Sequence, residues 1–244
     1  MKSIILIITF FTRIPIKYNF EFNEKDFAKG ILFLPLLGLF IGFFMYVFSI
    51  FEPYLDKSII ILMIWIFYIW ITGGLHIDGV ADSFDGIFSN RSKERILEIM
   101  RDSRIGTFGV LGLFMVFAPA LLLSYYLDYK FLILTPAIGR ISAILAASFS
   151  EYARKEQGIG NVFIDNCGLK EALFSMILIL IISIVIFNKY ILIPIILSFL
   201  MVILITKYIK SKIGGMTGDT IGLIIESSQS IFLFLLYIFR GVLS

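Results

Sequence analysis

Seven stretches of this chain, at about 31–50, 58–75, 107–127, 131–150, 171–187, 190–206 and 220–240, are apolar and long enough to cross a bilayer. In hydrocarbon each backbone N–H and C=O must bond within its own segment, so such stretches fold as helices. The sequence therefore predicts an all-α, polytopic integral membrane protein of about seven transmembrane helices, organised as one domain over residues 1–244. The composition agrees: 59% of residues are hydrophobic and 16% charged, whereas a soluble domain carries more charge. A dispersed net charge of +3 gives no footprint for nucleic acid. Cys167 is the single cysteine, so it has no internal disulfide partner. The opening Lys2–Phe11 looks briefly like a signal peptide but has no small-residue cleavage site, and Arg13 and Pro15 follow at once. It reads as a retained interfacial or re-entrant segment.

Basic residues alternate between the connections. Five precede the first span, then one, five, one, three, one and three separate the later ones. The positive-inside rule puts the N-terminus and the second, fourth and sixth connections in the cytoplasm, with the lipid bilayer as the surroundings. The connections expected outside are short and plain. The glycine-rich, charged ones are all expected inside, which favours an enzyme over a transporter with polar groups at mid-membrane.

The second connection begins Gly73-Gly-Leu-His76-Ile-Asp78-Gly-Val-Ala-Asp82-Ser-Phe-Asp85-Gly86. Asp78, Asp82 and Asp85 fall at i, i+4 and i+7, within about 60° on one helix face. Carboxylates this close repel unless a cation sits among them, and hard oxygen donors suit Mg²⁺, with Mn²⁺ as a second choice. The competing reading is a solvated acidic loop, but Gly, Ala and Val between the acids argue against it. His76, the only histidine, lies about 160° from that face. It is a candidate general base or a satisfied buried side chain.

Farther on, Arg101-Asp102-Ser103-Arg104-Ile-Gly106-Thr107 places arginines, a hydroxyl and glycine at the start of the third span, where helix N–H groups and arginine forks suit phosphate. Gly214-Gly215-Met-Thr217-Gly-Asp219 leads into the seventh span in the same manner, with a plain capped turn as the alternative. Arg154 lies in the fourth connection. Glu226 falls inside the seventh span, where a carboxylate is costly, so it is expected to pair, with Arg140 as the candidate, to reach the metal site or to stay protonated, and the spacing favours the first two.

Together, Gly74-Leu-His76-x-Asp78-Gly-x-Ala-Asp82-x-x-Asp85-Gly, Arg101-Asp-Ser-Arg-x-Gly106, Tyr152-Ala-Arg154 and Gly214-Gly-x-Thr-Gly-Asp219 resemble the cobalamin synthase family (adenosylcobinamide-GDP ribazoletransferases), as does Thr12-Arg-Ile-Pro15. The likeness runs through nearly the whole chain. It implies a Mg²⁺-dependent membrane transferase whose substrates are adenosylcobinamide-GDP and α-ribazole or its 5′-phosphate. A ribose hydroxyl attacks the diphosphate, GMP leaves, and the nucleotide loop of cobalamin is assembled. It implies metal ligands among Asp78, Asp82, Asp85 and Asp219, and catalytic roles for His76, Asp78, Asp102 and Glu226. Phosphate contacts would come from Arg101, Ser103, Arg104, Gly106, Arg154, Gly215 and Thr217. Asp82-x-x-Asp85-Gly86 also resembles the opening of the CDP-alcohol phosphotransferase signature, without the remainder in register. A phospholipid synthase of that kind is the alternative, and a cation transporter a more distant one.

Overall fold

A computed structural model describes residues 1–17, 22–156 and 158–243. Among the described residues there are twelve α-helices and no strand. Lys2–Phe11 (α1) and Glu24–Ile31 (α2) form an N-terminal pair. Leu34–Val47 (α3), Lys57–Thr72 (α4), Leu75–Ile87 (α5), Lys93–Ile99 (α6), Thr107–Tyr126 (α7) and Thr135–Ser148 (α8) follow. Ile159–Asp165 (α9), Leu169–Ile186 (α10), Leu192–Ile213 (α11) and Gly218–Leu243 (α12) complete the chain. Six windows are long and apolar enough to cross a membrane: Leu34–Phe51, Thr107–Tyr126, Tyr129–Ser148, Leu169–Ile186, Lys189–Ile213 and Gly218–Val242. This is a polytopic all-α membrane protein with six such crossings, or seven with the bent pair α4 and α5 counted as one.

The centre of the bundle is α8, of which 89% of the span window is buried, against 22% for α10 at the periphery. Its run of Ala, Gly and Ser lets neighbouring backbones approach closely, the usual device where lipid supplies no hydrophobic drive between helices. Gly38 on α3 lies against the backbone of Ala137, and Gly139 against the carbonyl of Ile225 on α12, where a side chain would collide. Hence α3, α8 and α12 pack tightly, and α12 also contacts α5, α7 and α11.

Two features of the structure refine the sequence reading at the site. The second apolar stretch does not run straight into the acidic motif. Gly73 and Gly74 both take left-handed backbone, with φ of 67° and 68°, which glycine alone adopts freely. They end α4 and send α5 off at 91°, so α5 lies across one end of the bundle, outside the crossing. The bend is held by the Arg13 N–H, which donates to the Ile71 carbonyl at 2.8 Å. The sixth span also continues past Thr206. Lys207, Lys210 and Lys212 are good helix formers, and α11 stops only at Gly214, φ 75°.

The opposite end is sealed by aliphatic and aromatic contacts. There Lys57 Nζ donates to the Leu127 carbonyl at 2.7 Å and sits 5.0 Å above the Tyr129 ring, while Phe131 stacks on Phe187.

Candidate active site

The site grows from α5. The helix forms through Gly79 and Gly86, and each glycine is a point of close approach: Gly79 meets the Asp219 backbone at the start of α12, and Gly86 meets Ile96 and Met100 beside α6. At its other end α5 touches the start of α7, where Gly112 lies under the Phe84 ring. The crossed helix thus brings Asp78, Asp82, Asp85 and Asp219 to one end of the bundle. Asp78 is exposed, and the others are half-buried. The Asp82 carboxyl is pushed up to about 7, first by burial and then by the negative charges of Asp78 and Asp219, with Arg154 opposing.

Two of these acids already hold protein partners. Asp85 accepts from the Gly106 N–H at 2.7 Å and the Gly109 N–H at 2.8 Å, so it caps α7 from another helix. Two N–H groups at that terminus, expected to be free for phosphate, are therefore taken by a carboxylate of this chain. Asp219 accepts from Arg154 at 2.7 Å. Through Arg154 and the parallel bridge Tyr152–Met216, the fourth connection is tied to the sixth. Gly215 serves that junction, its Cα pressed against the Glu151 carbonyl. Thr217 is fully buried and forms a reciprocal cap with Thr220: each hydroxyl accepts the other's N–H, at 3.2 and 2.8 Å. The capped-turn alternative describes this segment, with Thr217 rather than Asp219 as the cap.

The basic loop before α7 lies more open. Arg104 pairs with Asp102 at 2.6 Å and is 87% exposed in its side chain. Its hydrogen bonds hold the Asp102 carboxyl down at about 2. Arg101 pairs with Glu156, and Ser103 is exposed. These side chains are accessible to an anion.

Below the acids lies a buried knot. Glu226, 2% exposed, accepts from the Tyr68 hydroxyl at 2.8 Å and from Gln229 Nε2 at 3.1 Å. His76 Nδ1 lies 3.4 Å from Glu226 Oε1, and neither ring nitrogen has an aligned hydrogen bond among the described residues. Arg140, fully buried, does not ion-pair with Glu226. Its Nη1 donates to the Pro136 carbonyl at 3.1 Å, and its guanidinium lies 5.8 Å from the centre of the Tyr68 ring, so Tyr68 stands between the two charges. Sequence reasoning singled out Glu226 and Arg140 and missed Tyr68 and Gln229. The available signal was Glu226 and Gln229 at i, i+3, which share a helix face.

Beside His76 a cavity of about 240 Å³ opens between α1, α5, α9 and α12. His76, Asp78 and Asp219 border it on one side, and Phe10, Phe11 and Phe163 on another.

The donor chemistry at this end fits a hard divalent cation: carboxylates in excess of nearby cationic groups, one of them pushed toward protonation first by burial and then by its acidic neighbours. Among the described residues no three of these side chains converge as a preformed ligand set. Asp85 is turned to α7 and Asp219 to Arg154.

Residues 3–237 match the family described as cobalamin-5-phosphate synthase. A protein of Alkaliphilus oremlandii (strain OhILAs) named adenosylcobinamide-GDP ribazoletransferase is 49% identical over the full length of both chains. Proteins of the same name from Clostridium acetobutylicum and Acetivibrio thermocellus are 41% and 40% identical, covering 98% of this chain and 98% and 99% of their own. No solved structure matches. The helical membrane architecture, the crossed acidic helix and these full-length relatives agree: the chain belongs to the cobalamin-5-phosphate synthase (CobS) family.

Proposed function

We propose that this protein is an adenosylcobinamide-GDP ribazoletransferase, which carries out the nucleotide-loop assembly step of cobalamin biosynthesis. The observation that carries the reading is the joining of Asp78, Asp82 and Asp219 with Arg154 and His76 at one end of a membrane bundle, in a chain 49% identical to a protein of that name. A ribose hydroxyl of α-ribazole, or of its 5′-phosphate, attacks the phosphorus that bears the cobinamide. The bridging P–O bond breaks and GMP leaves. An acceptor already phosphorylated at 5′ attacks through a secondary hydroxyl.

His76 borders the cavity with its Nδ1 3.4 Å from Glu226 Oε1, so its Nε2 takes the hydroxyl proton and Glu226 stabilises the imidazolium so formed. Arg154, Arg101 and Arg104 orient the diphosphate. Asp78, Asp82 and Asp219 are the residues that would hold Mg²⁺, and the ion when bound would supply charge neutralisation of the diphosphate and leaving group. Service of Asp85 as a further ligand would require it to release two helix N–H groups. Because this end carries most of the connecting Lys and Arg, it faces the cytoplasm, with the N-terminus on the same side of the cell membrane.

The test is GMP release by purified protein in detergent. It should require adenosylcobinamide-GDP, α-ribazole or its phosphate, and Mg²⁺ together. Absence of GMP with all three present sinks the proposal.

A further inference from the structure

The cavity beside His76 has two unlike halves. Asp78, Asp219 and His76 form the polar part. Phe10, Phe11 and Phe163, with Ile159 and Ile221, form an apolar wall. Phe11 and Phe163 are each 4% exposed, with ring centres 6.4 Å apart, and Phe11 lies 5.8 Å from the His76 ring. The wall is assembled from distant parts of the chain: α1 is drawn in by packing on Gly30 of α2 and by the Arg13 bond to Ile71, and α9 packs on α2 and α8.

We propose that this wall seats the aromatic base of the acceptor, so that Phe11 and Phe163 select an uncharged, benzimidazole-like ring joined to ribose. The inference rests on the transferase reading above and names the subsite that reading leaves open. Three bulky groups enter the reaction. A corrin macrocycle with its substituents is far too large for about 240 Å³. With Asp78 and Asp219 engaged at the diphosphate, the amide and amino edge of guanine would meet only phenylalanine and isoleucine side chains, and burying those donors unpaired is costly. A benzimidazole offers two faces and an apolar edge, and such rings stack on aromatic side chains. With the ring on the wall, the ribose hydroxyls fall toward His76 and the acids. Neither His76 ring nitrogen has an aligned hydrogen bond among the described residues, and Nδ1 is the one that faces Glu226. An acyl chain fits less well, because two carboxylates border the same space. On this reading α1 is part of the acceptor site rather than a membrane anchor alone.

The test uses the full chain purified in detergent, with Phe163→Leu and, at the 39% exposed rim residue Ile159, Ile159→Trp. Calorimetric binding of α-ribazole to each protein is measured, together with KM for both substrates. Each variant should weaken α-ribazole binding by about tenfold and leave KM for adenosylcobinamide-GDP within about twofold. Unchanged α-ribazole binding in both variants overturns the proposal, as does a rise confined to KM for adenosylcobinamide-GDP. If Phe163→Leu fails to fold, Ile159→Trp decides alone. Absence of GMP formation by the unaltered protein is failure of the reaction assignment. Unaltered turnover with unaffected variants is failure of the subsite.

Discussion

Two groups of carboxylates lie a few residues apart in space and are treated in opposite ways. Asp78 and Asp82 sit on a helix laid across the bundle end, half in water, with more negative charge than nearby cations can offset. Glu226 sits inside the bundle, and the partners around it, Tyr68 and Gln229, are supplied by two different helices. Charge left uncompensated at an accessible surface can recruit an ion. Charge inside a membrane bundle must be satisfied at once, because no water is available to solvate it. The contrast separates an acidic patch whose charge exceeds that of its partners from a buried carboxylate held by tyrosine and glutamine donors.

Removing the ion or its first acid should break the contrast most. Chelation with EDTA should abolish GMP formation, with recovery on adding Mg²⁺, and Asp82→Asn should lower kcat by about 10³ or more, roughly 4 kcal/mol of barrier. The melting temperature of Asp82→Asn should stay the same or rise, since a repelled charge is lost. Near-normal kcat in that variant would remove the acid patch from the chemistry. Glu226→Gln should have the next largest effect, and it should differ in kind. An amide presents a donor to the Gln229 donor, so both stability and activity should fall, by about 1–3 kcal/mol in stability. An unchanged melt in circular dichroism would show that the buried network tolerates a broken bond.

Tyr68→Phe sharpens the distinction. It deletes a hydroxyl that donates to Glu226 and accepts from Gln229, and should destabilise by about 1–3 kcal/mol while lowering kcat less than Glu226→Gln does. Equal effects on kcat would place Tyr68 in proton transfer. The smallest effect belongs to Arg104→Lys. Its ion pair with Asp102 is local and exposed, so the melt should not move, and KM for adenosylcobinamide-GDP should rise by less than about tenfold through loss of the guanidinium fork. A shifted melt would make Arg104 a structural residue instead.

Much of the architecture was legible because hydrocarbon imposes a simple rule on the chain, and apolar runs of bilayer length have few other fates. The helical spacing of Asp78, Asp82 and Asp85 was also readable, since it depends on 3.6 residues per turn and nothing else. The partners were not. Asp85 and Gly106 lie 21 residues apart, Arg154 and Asp219 lie 65 apart, and Tyr68 and Glu226 lie 158 apart. Thr217 illustrates the limit: a hydroxyl before a glycine and an acid reads equally well as a phosphate contact or a helix cap, and burial decides for the cap.

The sequence by itself determined that this chain is a helical membrane protein, that its polar chemistry is gathered in the connections rather than spread through the spans, and which acids stand on a common face. Those properties follow from hydropathy and helical period, which act locally. Only the tertiary structure decided that two left-handed glycines fold α5 across the bundle end, that Asp85 closes the start of α7, that Tyr68 stands between Glu226 and Arg140, and that α1 walls a cavity beside His76. Each of these depends on which helices meet, and that is set by where glycine and alanine allow backbones to touch.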